Sequence, residues 1–257
     1  MIKSESKTFY LARIAYDGSS FYGFVKQIHG KTVQEVIETK LSKVFQKPIK
    51  IYYCSRTDKG VHALDQAIAL KLDSNINFIS SLTSLNKILN DEGITINSIH
   101  KVKSLQLSKF VIKKTYRYKF YFGAWNLFLK NYQTWIETPL QKIKLAKILE
   151  NFYGTHNFYN FSKKKDVDIN ESVRTIFEIK IINQTTNSLE IEFTGNGFLR
   201  YMIRKIVASA IDCYNNKISL TELVELINLK KLDPYPKLAS PVGLYLVNID
   251  FEKDLFI

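Results

Sequence analysis

The sequence predicts an α+β fold in which strand-like and helix-like segments follow one another along the whole chain. Alternating apolar residues mark the strands, and apolar residues spaced three and four apart mark the helices. The 257 residues are 46% hydrophobic and 24% charged, which is typical of a chain that buries real cores. No low-complexity linker interrupts the pattern. We therefore predict two closely packed α+β domains, 1–105 and 106–257.

The first half reads as strand, helix, two strands, helix and strand. Four segments are predicted as strands: Phe9–Tyr16, Ile49–Tyr53, Gln66–Leu72 and Ile94–Val102. Thr32 and Glu35 have the spacing of a capping box, which predicts that a helix begins after Thr32. Its apolar face includes Val33, Leu41 and Val44. A second helix carries Leu82, Leu85, Ile88 and Leu89 on one face.

The second half alternates in the same way. Its predicted strands are Phe110–Phe122, Ile176–Ile182, Leu189–Thr194 and Val242–Phe251. Pro139 in Thr138–Gln141 predicts a helix start, because proline suits the first helical position. Two further helices are predicted, one with Leu199, Ile203, Ile206 and Ala210 on a face and one capped by Ser219 and Glu222. Tyr153–Asn170 reads as a loop.

The charge balance points to a polyanionic partner. The chain has 37 Lys and Arg residues against 24 Asp and Glu residues, giving a net charge of +13. Membrane surfaces and nucleic acids both attract such a protein. No long lysine-rich amphipathic helix stands out, so the sequence favours nucleic acid.

Several function classes find no support in the sequence. Cys54 and Cys213 are far apart and lack metal-ligand spacing, which favours free thiols in a reducing compartment. The start, Met1–Lys7, is polar, and no run of about 18 apolar residues occurs. There is no dinucleotide-binding or phosphate-loop motif. We expect a cytoplasmic protein without a membrane span, a metal or a small-molecule cofactor.

The most informative stretch is Ser55–Ala63, which reads Ser-Arg-Thr-Asp-Lys-Gly-Val-His-Ala. It lies between two predicted strands, and such loops often carry chemistry. Asp58-Lys59-Gly60 alone is ordinary turn chemistry, since Gly60 allows a positive φ. Asp58 would then be a carboxylate beside the guanidinium of Arg56.

The full nine-residue string resembles the signature of the TruA family of tRNA pseudouridine synthases. The resemblance runs from Tyr16-Asp17-Gly18 to Gly243-Leu244 and implies that Asp58 is the catalytic nucleophile. It also implies two ferredoxin-like or RRM-like halves, with mixed, mainly antiparallel sheets that meet at a basic catalytic cleft. Departures from the family pattern occur at Phe24, Val25, Asn157 and Ser240.

Tyr116 and Tyr118 share one face of the predicted aromatic strand, and periodicity alone makes that face a core. Basic neighbours, Lys113, Lys114 and Arg117, favour contact with RNA. Lys114-Thr115-Tyr116 resembles the family motif whose tyrosine stacks on the target base. The resemblance therefore assigns base stacking to Tyr116 and leaves Tyr118 to packing.

Arg204 borders the apolar face of its predicted helix, where it is either a solvated side chain or a partner for a carboxylate. The stretch Gly197–Val207 is similar to the family motif whose arginine pairs with the catalytic aspartate. Arg56 is otherwise a surface charge, and by resemblance it fills the space left by the flipped nucleotide. His62 is expected to make structural hydrogen bonds.

The resemblance implies isomerisation of uridines 38–40 in the anticodon stem-loop of tRNA, by a homodimer. Two other classes stay open. One is a non-catalytic RNA-binding or tRNA-folding module on the same fold, which would tolerate Asp58→Asn. The other is an Asp-dependent enzyme such as a phosphohydrolase, but Asp65 is the only further carboxylate close to Asp58 in sequence.

Overall fold

The computed structural model describes residues 6–163, 166–230 and 237–257. Part of the polar start (1–5) and two lysines of the predicted 153–170 loop (164–165) therefore lie outside the described residues. The chain divides into two compact units, unit 1 (Met1–Ile112 and Leu246–Ile257) and unit 2 (Lys113–Tyr245). Both units combine strands with helices. The pairings β1–β3, β1–β4, β2–β3, β5–β9, β7–β8 and β8–β9 are antiparallel, whereas β5–β6 is parallel. The prediction of a mainly antiparallel α+β fold is confirmed.

Unit 1 contains a sheet with the strand order β4-β1-β3-β10, in which β2 also pairs with β3. Its strands are β1 (Lys7–Tyr16), β2 (Tyr52–Tyr53), β3 (His62–Asp73), β4 (Ile94–Val102) and most of β10 (Leu244–Phe251). Its α-helices are α1 (Val33–Phe45) and α2 (Leu82–Leu89). The bounds of β4 match the prediction, whereas β2 is much shorter than Ile49–Tyr53.

Helix α1 begins where the sequence predicted. The Thr32 side chain accepts a hydrogen bond from the Glu35 backbone N–H at 3.4 Å. Val33, Ile37 and Leu41 are buried, as expected for the apolar face. Val44, also predicted to lie on that face, is 44% exposed because it comes in the last turn before the left-handed C-cap.

Unit 2 contains a sheet with the strand order β5-β9-β8-β7, and β6 pairs with β5 in parallel. Its strands are β5 (Val111–Phe122), β6 (Thr134–Ile136), β7 (Gly154–Asn157), β8 (Val173–Thr185) and β9 (Ser188–Gly195). Its α-helices are α3 (Lys142–Leu149), α4 (Met202–Tyr214) and α5 (Leu220–Ile227). Helix α5 has the predicted capping box of Ser219 and Glu222.

Three predictions in unit 2 were wrong. Helix α3 begins after Gln141, so Pro139 does not occupy its first position. Strand β7 lies inside the segment predicted as a loop, because its pairing with β8 supplies order that its polar sequence does not signal. Leu199 precedes α4 rather than lying on its apolar face. Within the described ranges, none of the helices is long and apolar enough to cross a membrane.

Candidate active site

Residues 54–61, which we call the Asp58 loop, connect β2 to β3 and contain a tight turn. The backbone N–H of Val61 donates to the Asp58 carbonyl at 3.1 Å, which closes the turn. Gly60 has a φ of 78°, as its sequence predicted. A side chain at this position would strain the backbone, so glycine suits the turn that directly follows Asp58.

Residues of the loop alternate between inward and outward positions before the turn. Ser55 and Thr57 are buried, with 6% and 8% of their surface exposed. Arg56 is exposed and Asp58 is partly exposed. Because inward side chains flank the outward ones, the loop presents the guanidinium and the carboxylate on its outer side.

The N-terminal side of the loop is held by Gln66 of β3, a completely buried residue. The Ser55 N–H donates to Gln66 Oε1 at 3.2 Å, and Gln66 Nε2 donates to the Ser55 carbonyl at 2.7 Å. One residue earlier, the Cys54 N–H donates to the Ala67 carbonyl at 3.1 Å. The side-chain amide thus continues the β2–β3 ladder where the backbone strands separate.

The middle of the loop is held from the other side by Thr57. Its hydroxyl lies 2.7 Å from the Tyr16 hydroxyl, and its carbonyl accepts the Phe24 N–H at 3.1 Å. Phe24, a departure from the family pattern, is fully buried with its ring 5.1 Å from that of Tyr53. This departure therefore serves the packing beneath the loop.

The C-terminal side of the loop packs closely against Gly18. A Cβ added there would lie 2.1 Å from the Val61 carbonyl oxygen, which no side chain allows. The Gly18 N–H donates to Nδ1 of His62 at 3.1 Å, and His62 is only 2% exposed. His62 makes the structural hydrogen bond that the sequence predicted.

Arg56 and Lys59 each lie over an aromatic ring of unit 1. The Arg56 guanidinium is 6.0 Å from the centroid of Tyr53, and the Lys59 ammonium is 3.6 Å from that of Tyr22. Such contacts hold long cationic side chains against the surface while keeping their charge exposed. The loop therefore presents an acid with a cation on either side of it in sequence.

Asp65, the only other carboxylate close to Asp58 in sequence, belongs to a different contact. Its carboxylate accepts a hydrogen bond from Arg13 Nη1 at 2.8 Å. Burial is the main cause of a raised pKa at Asp65, and Asp250 adds to it while Arg13 opposes it. No group of three or more metal-binding side chains occurs among the described residues.

Tyr116 and Tyr118 of β5 differ in their surroundings. The Tyr118 hydroxyl donates to the Ser240 carbonyl and meets the Thr134 hydroxyl, both at 2.8 Å, and burial raises the pKa of this phenol. Tyr116 is 9% exposed, and its ring meets Phe198 edge to face at 5.2 Å. Tyr118 is thus a packing residue, as predicted.

Arg117, on the opposite face of β5 from Tyr116, is neutralised within unit 2. Its guanidinium lies 3.2 Å from the Glu190 carboxylate and 2.7 Å from that of Glu192. The charge of Arg117 is therefore compensated within unit 2 and adds little to the basic character that the sequence suggested around Tyr116.

Arg204 lies in the first turn of α4 and is half-buried. Its Nε donates to the Ala239 carbonyl at 2.7 Å, and the Ala239 N–H donates back to the Arg204 carbonyl at 3.2 Å. The guanidinium carbon is 5.6 Å from the Tyr201 ring centroid. The Arg204 side chain is therefore anchored to the backbone at Ala239 through Nε.

Four side chains carry the expected chemistry, two in each unit. Asp58 and Arg56 belong to unit 1, whereas Tyr116 and Arg204 belong to unit 2. Sequence reasoning did not assign a role to Gln66. Its signal in the sequence was a polar residue at the start of the mainly apolar predicted strand Gln66–Leu72.

Comparison with known proteins identifies the family. The family model described as tRNA pseudouridine synthase matches residues 12–109 and 148–252. The chain is 35% identical over 246 residues to tRNA pseudouridine synthase A of Ureaplasma urealyticum, covering 93% of this chain and 98% of that protein. It is 31% identical over 245 residues to the Staphylococcus aureus protein of the same name, covering 95% and 92%.

These matches span both units, and the first matched segment contains the Asp58 loop. The resemblance to the TruA family noted in the sequence is confirmed. The chain belongs to the tRNA pseudouridine synthases, the enzymes that isomerise uridine to pseudouridine.

Proposed function

We propose that this enzyme isomerises uridines 38–40 in the anticodon stem-loop of tRNA, with Asp58 as the nucleophile. The observation that carries the proposal is the Asp58 loop. Its partly exposed carboxylate follows two buried residues that are hydrogen-bonded to unit 1. A carboxylate on a rigid loop meets the requirement of nucleophilic catalysis for a positioned attacking group.

The reaction needs no external reagent. The N1–C1′ bond of uridine breaks, the base turns, and a C5–C1′ bond forms. C5 loses its proton and N1 gains one, so that atoms and electrons balance within the nucleotide. Asp58 splits this rearrangement into steps through a covalent intermediate, and the proposal includes no metal or small-molecule cofactor.

Three further side chains have proposed roles. Tyr116 stacks on the target base and helps to remove the C5 proton, since an aromatic face is a favourable support for an unpaired base. Arg204 holds Asp58 ionised and oriented. Arg56 occupies the space of the flipped nucleotide. The proposal thus requires residues of both units to meet at one uridine.

The proposed architecture is that of two ferredoxin-like halves, 1–105 and 106–257, around a basic catalytic cleft. The order β1, α1, β2, β3, α2, β4 in unit 1 supports it, because this βαββαβ order is that of ferredoxin-like domains. The net charge of +13 supports a basic binding surface for tRNA.

The proposed setting is the cytoplasm, where the protein acts on tRNA as a homodimer. Among the curated relatives, the Ureaplasma and Staphylococcus proteins are named for activity on tRNA. A salt-sensitive affinity for tRNA is expected, because each phosphate that a cation neutralises releases counterions.

Mapping the product tests this proposal. An unmodified tRNA transcript is incubated with the purified protein and treated with a carbodiimide, whose adduct on pseudouridine stops reverse transcription. The proposal predicts stops at uridines 38–40. Stops only at other positions would contradict the assigned site, and tRNA binding without any stop would favour the non-catalytic RNA-binding alternative.

A further inference from the structure

The residue that directly follows Asp58 is a lysine whose charged end lies against an aromatic ring. Lys59 is exposed, and its ammonium is 3.6 Å from the centroid of the Tyr22 ring. The face of an aromatic ring attracts a cation, so this contact restricts where the ammonium can go. The roles proposed above for the isomerisation leave Lys59 without one.

We propose that Lys59 binds a phosphate of the RNA backbone next to the uridine that Asp58 attacks. The inference rests on the proposed function for its substrate and adds a substrate-binding residue to it. Lys59 takes no part in the bonds that break and form. Its contribution is to hold the RNA strand beside the carboxylate.

The Tyr22 ring that lies beneath the ammonium is itself fixed. A Cβ added at Gly30 would lie 2.4 Å from Cγ of Tyr22 and 2.7 Å from each Cδ, so the backbone at Gly30 packs directly against the ring. The Tyr22 N–H donates to the Lys31 carbonyl at 2.8 Å, and Gln27 Nε2 donates to the Tyr22 carbonyl. The ring therefore gives the lysine an ordered support.

The segment that carries this ring also packs on the backbone of the Asp58 loop. A Cβ added at the next residue, Gly23, would lie 3.0 Å from the Thr57 carbonyl oxygen. It would also lie 3.3 Å from the carbonyl carbon of Asp58 and 3.3 Å from the backbone nitrogen of Lys59. Since the support of the ammonium touches the residue that carries the carboxylate, the two charged groups are held in one local structure.

The charge of Lys59 is available to an anion from solution. Two other lysines of the neighbouring segment are neutralised. Lys26 lies 2.6 Å from the Glu38 carboxylate. Lys31 lies 2.7 Å from that of Glu92. Among the residues that the structure describes, Lys59 forms no ion pair with a carboxylate. Every nucleotide of an RNA substrate brings a phosphate that can take that place.

The position of Lys59 selects the phosphates closest to the reacting nucleotide. The Cα atoms of neighbouring residues are only about 3.8 Å apart. When Asp58 reaches the target uridine, the ammonium therefore comes beside the phosphates that flank it. Lysine suits this contact, because it binds phosphate as a compact point charge. A contact made equally before and during the reaction lowers KM and leaves kcat unchanged.

Steady-state kinetics on tRNA give the first test. Lys59→Met keeps an unbranched stem and removes the charge, so KM should rise about tenfold while kcat stays within about twofold. The matched control is Lys50→Met, at an exposed lysine 5.8 Å from the Tyr52 ring centroid, and it should keep the wild-type KM. A fall in kcat at unchanged KM in Lys59→Met would show an effect on Asp58 and overturn the assignment.

A thermodynamic cycle with altered RNA identifies the phosphate. Fluorescence anisotropy measures the affinity for anticodon stem-loop RNAs in which one linkage, 5′ or 3′ of the target uridine, is an uncharged methylphosphonate. Each RNA is matched by one with an ordinary phosphate, and both carry a 2′-O-methyl group on the 5′ nucleotide of that linkage to prevent cleavage. At one linkage, neutralisation should weaken binding by the wild type and Lys50→Met about tenfold. The same change should have no effect on Lys59→Met, whereas Lys59→Arg, which keeps a cation, should retain the effect.

The outcomes separate this assignment from the proposed function. Equal losses of affinity in wild type and Lys59→Met at both linkages would overturn the phosphate contact, even if pseudouridine is formed. Loss of the effect in Lys59→Met without any pseudouridine formed by the wild type would support the contact and overturn the isomerase proposal. A wild type that does not bind the RNA would overturn both.

Discussion

Gln66 and Ser55 are joined by two hydrogen bonds in which a side-chain amide takes the place of a neighbouring strand. Gln66 Nε2 donates to the Ser55 carbonyl at 2.7 Å, and the Ser55 N–H donates to Gln66 Oε1 at 3.2 Å. Gln66 is fully buried, so water cannot replace either bond. The path of the chain three residues before Asp58 therefore depends on one amide group.

Replacing Gln66 with leucine should destabilise unit 1 and lower turnover. The variant leaves a buried N–H and a buried carbonyl of Ser55 without the amide, at a cost of about 2–4 kcal/mol in the free energy of unfolding. Urea unfolding and steady-state kinetics measure the two effects. Gln106→Leu, the same change at an exposed glutamine, should alter neither. Wild-type stability and turnover in Gln66→Leu would contradict the proposed support of the loop.

Gly18→Ala should cost more stability than Gly123→Ala. A Cβ at Gly18 would lie 2.1 Å from the Val61 carbonyl oxygen, which is backbone and cannot move aside easily. At Gly123 no heavy atom lies within 4 Å of the added Cβ, and the cost is only that of its φ of +86°, about 1–2 kcal/mol. Thermal unfolding of both variants checks the order, and a smaller loss in Gly18→Ala would show that the β3 end of the loop relaxes.

Substitutions at Tyr116 and Tyr118 should have different effects, on catalysis at Tyr116 and on packing at Tyr118. Tyr118→Phe loses the hydroxyl that contacts Ser240 and Thr134, so its free energy of unfolding should fall by about 1–2 kcal/mol while kcat is retained. Tyr116→Leu removes the proposed stacking surface, worth about 1–3 kcal/mol, or about 5- to 150-fold in kcat/KM. Equal kinetic losses in the two variants would contradict the separate roles.

The ion pairs of Glu92 predict how one contribution to the stability of the fold depends on pH. Hydrogen bonds from Lys31 and then Lys40 lower the pKa of its carboxyl from 4.5 to about 2. Because the folded pKa is the lower one, Glu92 stabilises the protein above pH 4.5, and this contribution is lost as the pH falls towards 2. The lysines are 44% and 33% exposed, so solvent screening limits the contribution to less than about 1 kcal/mol.

Urea unfolding of wild type and Glu92→Gln measures that contribution. The difference between them should be largest at pH 7, decrease below pH 4.5 and be smaller in high salt at every pH. A difference that grows as the pH falls would show that the ion pairs do not stabilise the fold.

Local sequence signals predicted much of the fold. Alternation gave the bounds of β4, and the capping box of Ser219 and Glu222 gave the start of α5, because both depend on neighbouring residues only. Strand β7 was missed because its four residues are mostly polar and become a strand through pairing with β8. Pro139 was misleading, since α3 starts at Lys142, after the N-cap residue Gln141, whose side chain makes no capping hydrogen bond.

In the candidate site, too, some residues could be predicted from the local sequence and others could not. Asp58, Gly60 and Arg56 were selected as candidates because all three belong to one short and specific motif. Gln66 and Gly18 act through contacts with residues 11 and 43 positions away, Ser55 and Val61, and no local pattern records such contacts. The residues that present Asp58 were therefore predictable, whereas most of those that hold its loop required the structure.

The central claim, that Asp58 is the nucleophile of a pseudouridine synthase, is tested most directly by tritium release from tRNA labelled at C5 of uridine. The assay compares wild type, Asp58→Asn and Asp91→Asn, an exposed carboxylate outside the loop, in chelator and without added cofactor. We predict release by wild type and Asp91→Asn, and tRNA binding without release by Asp58→Asn. Release by Asp58→Asn at the wild-type rate, or binding without release by the wild type itself, would contradict the claim.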